Sequence, residues 1–150
     1  MKVIEFDINS IETTFNEAKN YLFSINNVHH IVYENFDITT FDRLNKELLT
    51  TITKKYIIYC LWLGDTKETL IPKYVGHAKN SISRQRIRAH FTKRNLATGS
   101  QLDNIKVNIK NNFFGFSFVE IKPSFMRTSL EEWLIVNCKR NDMLEWNKKV

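Results

Sequence analysis

Residues 56–63 are Tyr-Ile-Ile-Tyr-Cys-Leu-Trp-Leu, the longest strongly apolar run in the chain. It falls far short of the roughly 18 residues that a membrane-spanning helix requires, and its β-branched and aromatic content predicts a strand. A polar connection over 64–72 leads to a second β-like run at 73–77. Two such runs on either side of a polar loop predict a β-hairpin. The rest of the chain must supply what covers it.

Downstream, 84–96 reads as a helix, and a loop containing Gly99 follows it. Ser100 with Asp103 three residues later marks the start of another helix, whose buried stripe is Leu102, Ile105 and Ile109. A strand rich in aromatic and β-branched residues is predicted over 113–121 and ends at Pro123, and a last helix over about 129–139. Upstream, Ser10 is an N-cap for a helix with Ile11, Phe15, Ala18 and Leu22 on one face. A short β-like piece at 30–33 follows. A second helix is expected from about Thr40, with Thr39 and Asp42 at capping-box spacing and Phe41, Leu44, Leu48, Leu49 and Ile52 as its apolar stripe. This order predicts an α+β fold, a small antiparallel sheet with helices packed against it. Residues 1–52 form a mainly helical N-terminal extension and 53–150 the main domain.

The chain has 150 residues, 43% of them hydrophobic and 25% charged, the make-up of one globular domain with a buried core. Its start, Met1 to Asp7, carries acids where a secretory signal has a basic region and a hydrophobic stretch, so a cytoplasmic location is the default expectation. Cys60 and Cys138 make no Cys-rich framework or CxxC pair and are expected to be reduced core residues. Charge is unevenly spread. Residues 1–52 carry four basic and eight acidic side chains, whereas 53–150 carry eighteen basic and eight acidic. The basic part would attract a polyanion by Coulomb steering and counterion release.

That same basic part holds Tyr59 and Tyr74, one in each run of the hairpin, then Arg86 and His90 one helical turn apart, and Glu131 far downstream. Tyrosines, arginine, histidine and a carboxylate supply what in-line attack on a phosphodiester needs: an oriented nucleophile, charge neutralisation, proton transfer and a cation ligand. Each has a plainer reading. The tyrosines are ordinary strand aromatics, Arg86 and His90 a solvated helix face, and Glu131 the partner of Thr128 in a capping box, as Glu132 is of Ser129. Asn147, near the end of the sequence, is a turn residue on that reading.

Residues 55–150 resemble the GIY-YIG endonuclease superfamily. Ile57-Ile58-Tyr59 stands for the first motif with its glycine replaced, and Tyr74-Val75-Gly76 for the second. The segment from Gly76 through Arg86-Ile87-Arg88-Ala89-His90-Phe91 is similar to the superfamily's glycine-to-arginine segment, with Arg86 in the arginine position and Arg84 its competitor. Glu131 matches the metal-binding glutamate, and Asn147 the closing asparagine. The resemblance implies a three-stranded antiparallel sheet flanked by helices. It also implies a catalytic set of Tyr59, Tyr74, Arg86, His90, Glu131 and Asn147, with Mg²⁺ (or Mn²⁺ in its place) on Glu131, and a 5′-phosphate product. A histidine four residues after the arginine is similar to the restriction and homing branches rather than the excision-repair branch. Only three residues follow Asn147, so a stand-alone restriction-type enzyme fits best. Whether Tyr59 or His90 is the general base stays open.

The expected function is therefore a Mg²⁺-dependent DNA endonuclease, a small sequence-specific type II restriction-like enzyme acting on double-stranded DNA. The alternatives are a nonspecific, repair or mobile-element nuclease, or an inactive nucleic-acid-binding module on the same scaffold. Arg84, Arg88, Lys93, Arg94, Lys106 and Lys110 are candidate phosphate contacts, which set affinity rather than sequence preference. The acidic extension is a candidate for holding a homodimer, which a symmetric double-strand cutter commonly needs. His29-His30 lacks metal-ligand spacing and reads as surface or packing. Phe113, Phe114, Phe116 and Phe118 suit a base-stacking platform but are expected to face the core.

Overall fold

A computed structural model of the chain describes residues 1–35, 37–93, 100–108, 112–140 and 142–148. In chain order its elements are β1 (Val3–Glu5), α1 (Ile11–Leu22), β2 (His29–Ile31), α2 (Ile38–Leu44), α3 (Lys46–Ile52), β3 (Ile57–Gly64), β4 (Ile71–Ala78), α4 (Ser83–Thr92), α5 (Leu102–Lys106), β5 (Phe113–Lys122) and α6 (Arg127–Cys138). The class is α+β, as expected. The sheet differs from the expected three strands: among the described residues it has five, in the order β1-β5-β3-β4, with β2 also on β5.

The hairpin is present as β3 and β4, paired antiparallel, and β5 pairs antiparallel with the other edge of β3. The two added strands come from the N-terminal 52 residues. β2 pairs antiparallel with the first half of β5, while β1 pairs parallel with its second half. At three residues each, β1 and β2 are too short to show an alternating pattern in sequence. What recruits them is the open edge of the ten-residue β5, whose amides and carbonyls need partners.

The run at 56–63 is apolar throughout because β3 is buried on both faces. Ile58, Cys60 and Trp62 pack with Ile4, Phe15, Leu22, Leu130 and Leu134, beneath α1 and α6. Ile57, Tyr59, Leu61 and Leu63 pack with Phe41, Leu49, Ile87, Phe91 and Ile105, beneath the helices of the other layer. Residues 1–52 thus contribute to both layers. Each fully buried Leu, Ile or Phe stabilises the fold by about 1.5–3 kcal/mol. Cys60 and Cys138 are free and buried.

Three helix boundaries differ from the expected ones. The helix expected from Thr40 is two helices, capped by Asp37, which accepts the Thr40 N–H at 2.9 Å, and broken at Asn45. Asn45 interrupts because its side chain bridges the backbone of Val32, accepting its N–H at 2.9 Å and donating to its carbonyl at 2.8 Å. The N-cap of α5 is Gln101 rather than Ser100, although the Ser100 hydroxyl still accepts the Leu102 N–H at 3.3 Å and also reaches the Ala89 and Lys93 carbonyls at the end of α4. Finally, α6 begins at Arg127, so Thr128 and Ser129 lie inside its first turn with no capping bond. Glu131 therefore belongs to the helix body, and the capping-box reading of it fails. No helix among the described residues is long and apolar enough to cross a membrane.

Candidate active site

Tyr59 lies in the middle of β3, opposite Gly76 of β4. A Cβ at position 76 would stand 2.4 Å from the Tyr59 hydroxyl oxygen and 2.6 Å from its ring carbon Cζ. Glycine is needed there because the phenol lies over residue 76. The ring is fully buried, stacked on Phe116. Its hydroxyl is 2.6 Å from Nε2 of His90, which α4 carries in against the sheet.

The protonation of that pair follows from the other ring nitrogen. The Gln101 backbone N–H donates to His90 Nδ1 at 3.0 Å, so Nδ1 holds a lone pair. Burial, assisted by the charge of Arg86, pulls His90 down from 6.5 to about 3, so the ring is neutral. A neutral imidazole with its lone pair on Nδ1 carries its proton on Nε2. His90 therefore donates to the Tyr59 oxygen. Arg86, one turn earlier on α4, places its positive charge near Tyr59. Burial and the neighbouring Tyr74 push the Tyr59 phenol well above its ordinary value, and Arg86 opposes them.

Tyr74 on β4 completes the aromatic wall, its ring centroid 6.3 Å from that of Tyr59 and 5.3 Å from that of His90. Burial and then the negative charge of Glu131 raise Tyr74 to about 12. Unlike Tyr59 and His90, the side chains of Tyr74, Arg86 and Glu131 are only partly buried. The site thus has an interior pair and an accessible rim. Arg86 also lines a groove of ≈ 510 Å³ on the outer side of α4, together with Ile38, Gln85, Ala89 and Lys93.

Glu131 approaches from α6, across the edge strand β4. Its charge acts on both Tyr59 and Tyr74. Burial raises it to about 7 even though Arg86 pulls the other way. Among the described residues its carboxylate accepts no hydrogen bond and meets His77 Nε2 at 3.8 Å. A half-buried carboxylate with so little compensation fits a cation ligand. No group of three or more His, Cys, Asp or Glu suited to a metal exists among the described residues. The fit is to a hard cation that keeps most of its waters, as Mg²⁺ does, rather than to a fully protein-caged ion.

Comparison of the chain with protein-family models, with curated proteins and with solved structures finds no match. What the site can do is therefore argued from its own residues.

Five of the six residues expected to be catalytic converge around Tyr59: the tyrosine itself, Tyr74, Arg86, His90 and Glu131. The sixth, Asn147, is next to them but serves the backbone. Its side chain accepts the Val75 N–H at 2.9 Å and donates to the Val75 carbonyl at 3.0 Å. Val75 lies between Tyr74 and Gly76, so Asn147 pins the outer edge of β4 where the site needs it, much as Asn45 pins Val32.

Of the expected phosphate contacts, Arg88 and Arg84 are engaged by Asp42 of α2. Arg88 Nε lies 2.8 Å and Arg84 Nη2 3.8 Å from its carboxylate oxygens. The Arg88 N–H is not aimed at that oxygen, so the contact is an ion pair rather than a hydrogen bond. Lys93 stands at the end of α4, and Lys106 is in the last turn of α5. Arg94 and Lys110 lie outside the described residues, as does Ile109 of the expected stripe. Phe114, Phe116 and Phe118 are buried in the core, with Phe113 alone of the four exposed. His29 and His30 sit on β2 beside β5, with the His29 ring 5.5 Å from that of Phe118.

Sequence reasoning missed His77, which follows Gly76 directly. Burial first, then the charges of Arg127, Arg86 and Lys79, lower it from 6.5 to about 4. Its place after the glycine was visible in sequence. That it would face Glu131 was not, because Glu131 lies more than fifty residues downstream.

Proposed function

We propose that this chain is a Mg²⁺-dependent DNA endonuclease of the GIY-YIG kind that hydrolyses phosphodiester bonds by direct attack of water. The observation that carries the reading is the Tyr59 hydroxyl oxygen, which accepts from His90 Nε2 with the Arg86 charge acting on it, beside a carboxylate left without a hydrogen bond. The antiparallel trio β4-β3-β5, with α4 supplying Arg86 and α6 supplying Glu131, supports the scaffold assignment.

The His90 donor and the nearby Arg86 charge favour the deprotonated phenol, but burial outweighs them in the free protein. His90 cannot take the Tyr59 proton at Nε2, which already carries one, and its neutral form is strongly favoured. Tyr59 is thus the candidate proton acceptor once its own phenol proton has left to solvent, and His90 holds the phenolate in place. Arg86 offers paired donors to an oxyanion developing on phosphorus, while Tyr74 at the rim orients the attacking water. Glu131 would hold Mg²⁺, which would supply neutralisation of the charge that develops on phosphate and leaving group. The product carries a 5′-phosphate. A compact site with one carboxylate suits a small restriction-type enzyme that uses a second copy for the second strand.

The test is supercoiled plasmid incubated with the full chain and Mg²⁺, beside Glu131→Gln and beside excess chelator. Discrete linear fragments from the wild type alone support the restriction-type reading. Intact plasmid with Mg²⁺ and Mn²⁺ alike overturns the enzyme.

A further inference from the structure

Arg127 opens α6 one helical turn before Glu131, on the same face, yet the two form no ion pair. Its residue exposure is only 8%. One guanidinium nitrogen donates to the Ser124 carbonyl at 2.7 Å, and the group lies 4.9 Å from the centroid of the Tyr56 ring. Nε is buried and has no hydrogen-bond partner among the described residues. None of the ion pairs among those residues includes Arg127. Arg84 and Arg88, by contrast, share a carboxylate.

Removing a guanidinium from water with no anion beside it is unfavourable, and contact with an aromatic face offsets only part of that cost. The missing anion has a natural position. The charge of Arg127 is felt by His77 more strongly than those of Arg86 and Lys79, and His77 adjoins Glu131. Arg127 and Glu131 belong to α6, in the layer opposite α4 and its Arg86, and Lys79 follows the end of β4 directly. Residues at i and i+4 stand about 5–6 Å apart on a helix, the scale of one or two nucleotide steps at a rise of roughly 3.4 Å.

We propose that Arg127, with exposed Lys79 just past the end of β4, forms a second phosphate site that grips a backbone phosphate neighbouring the one held by Arg86. This rests on the nuclease reading above and extends it to the substrate's flanking backbone. A guanidinium already held by Ser124 and Tyr56 is preorganised to meet phosphate through its remaining Nη donors. It sets affinity and register along the strand rather than base preference.

The experiment measures binding of a duplex DNA oligomer to the full chain by fluorescence anisotropy, in a Glu131→Gln background that leaves the duplex uncut. Salt is varied from about 50 to about 200 mM. Arg127→Gln is expected to weaken binding about tenfold at the low-salt end and to lower the slope of log K against log salt by about one. Arg127→Lys should restore the slope but not the full affinity. Lys79→Gln should shift both quantities the same way by less. Unchanged affinity and slope in Arg127→Gln, with only its melting temperature lowered, would mean that Arg127 merely holds its turn; the inference falls and the nuclease reading stands. If Arg127→Gln does not fold, Lys79→Gln decides, and unchanged binding there overturns the proposal. A Glu131→Gln parent that binds no duplex overturns the nuclease reading and this site with it.

Discussion

His90 Nε2 lies 2.6 Å from the Tyr59 hydroxyl, and because Gln101 occupies Nδ1, this hydrogen bond runs from histidine to tyrosine. Tyr59→Phe would remove the acceptor and leave a buried N–H without a partner, a cost of about 1–3 kcal/mol. If Tyr59 takes the proton of the attacking water, the same change lowers the single-turnover cleavage rate by about 10²-fold or more. Denaturant midpoints and cleavage rates measured on the same preparation separate the two effects. A folded Tyr59→Phe variant with the wild-type rate would remove Tyr59 from the chemistry.

The same pair makes the fold acid-labile. In the unfolded chain His90 takes up a proton as pH falls below about 6.5, while in the folded chain it does so only near 3. Between those values the unfolded state binds more protons, so stability rises with pH; it is complete above about 6.5 and is lost as pH falls towards 3. The slope from this one group reaches about 1.4 kcal/mol per pH unit. His77, lowered to about 4, adds in the same direction. Glu131, raised from 4.5 to about 7, works the other way, so urea midpoints should fall on acidification between about pH 6.5 and 4.5 with a net slope of about one proton. His90→Asn should flatten that dependence by nearly one proton.

Gly76→Ala tests the close approach of the hairpin strands at the site. The new methyl would overlap the end of a fully buried, stacked phenol ring that has no free rotamer to move into. Overpacking of this kind costs about 1–3 kcal/mol. The displaced hydroxyl should also lose its contact with His90. Thermal melting should show a folded but weakened protein, and cleavage should fall further than stability alone explains.

How far the fold was legible depended on how local its causes are. β3, β4 and β5 could be read because runs of β-branched and aromatic residues mark a strand without reference to anything else. β1 and β2 could not, since three residues show no period and their pairing is imposed by the vacant edge of β5. The start of α6 was misplaced because Thr128 and Ser129 look like caps, although the helix starts at Arg127. In the site, Tyr59, Tyr74, Arg86, His90 and Glu131 were found by order and spacing. His77 and Arg127 were not, because their significance lies in which charges surround them, and that depends on the register of β4 against α6.

Asn147 was picked out by its position, but its work is mechanical. Asn147→Ala would leave the N–H and carbonyl of Val75 without their partner at the edge of β4, costing about 1–3 kcal/mol. Hydrogen exchange of the Val75 amide should accelerate with little change elsewhere in the sheet. Because Tyr74 and Gly76 adjoin Val75, the cleavage rate should drop while affinity for DNA is nearly kept. An unchanged amide would show that the strand edge does not depend on Asn147.

On the proposed nuclease reading, Asp42 offers the sharpest test of which basic residues meet DNA. Its carboxylate, from the acidic N-terminal part of the chain, holds Arg88 at 2.8 Å and Arg84 more loosely at 3.8 Å. These side chains keep a quarter to nearly half of their surface exposed, so the pairs contribute less than about 1 kcal/mol to stability. Asp42→Asn should therefore leave melting almost unchanged. If the arginines face the duplex, it frees two cations, and DNA affinity should rise while the salt slope steepens by up to about two. If affinity and slope stay as they were, Arg84 and Arg88 serve only to fasten α2 to α4. The duplex must then approach from the side of β4 and α6, where Arg127 stands.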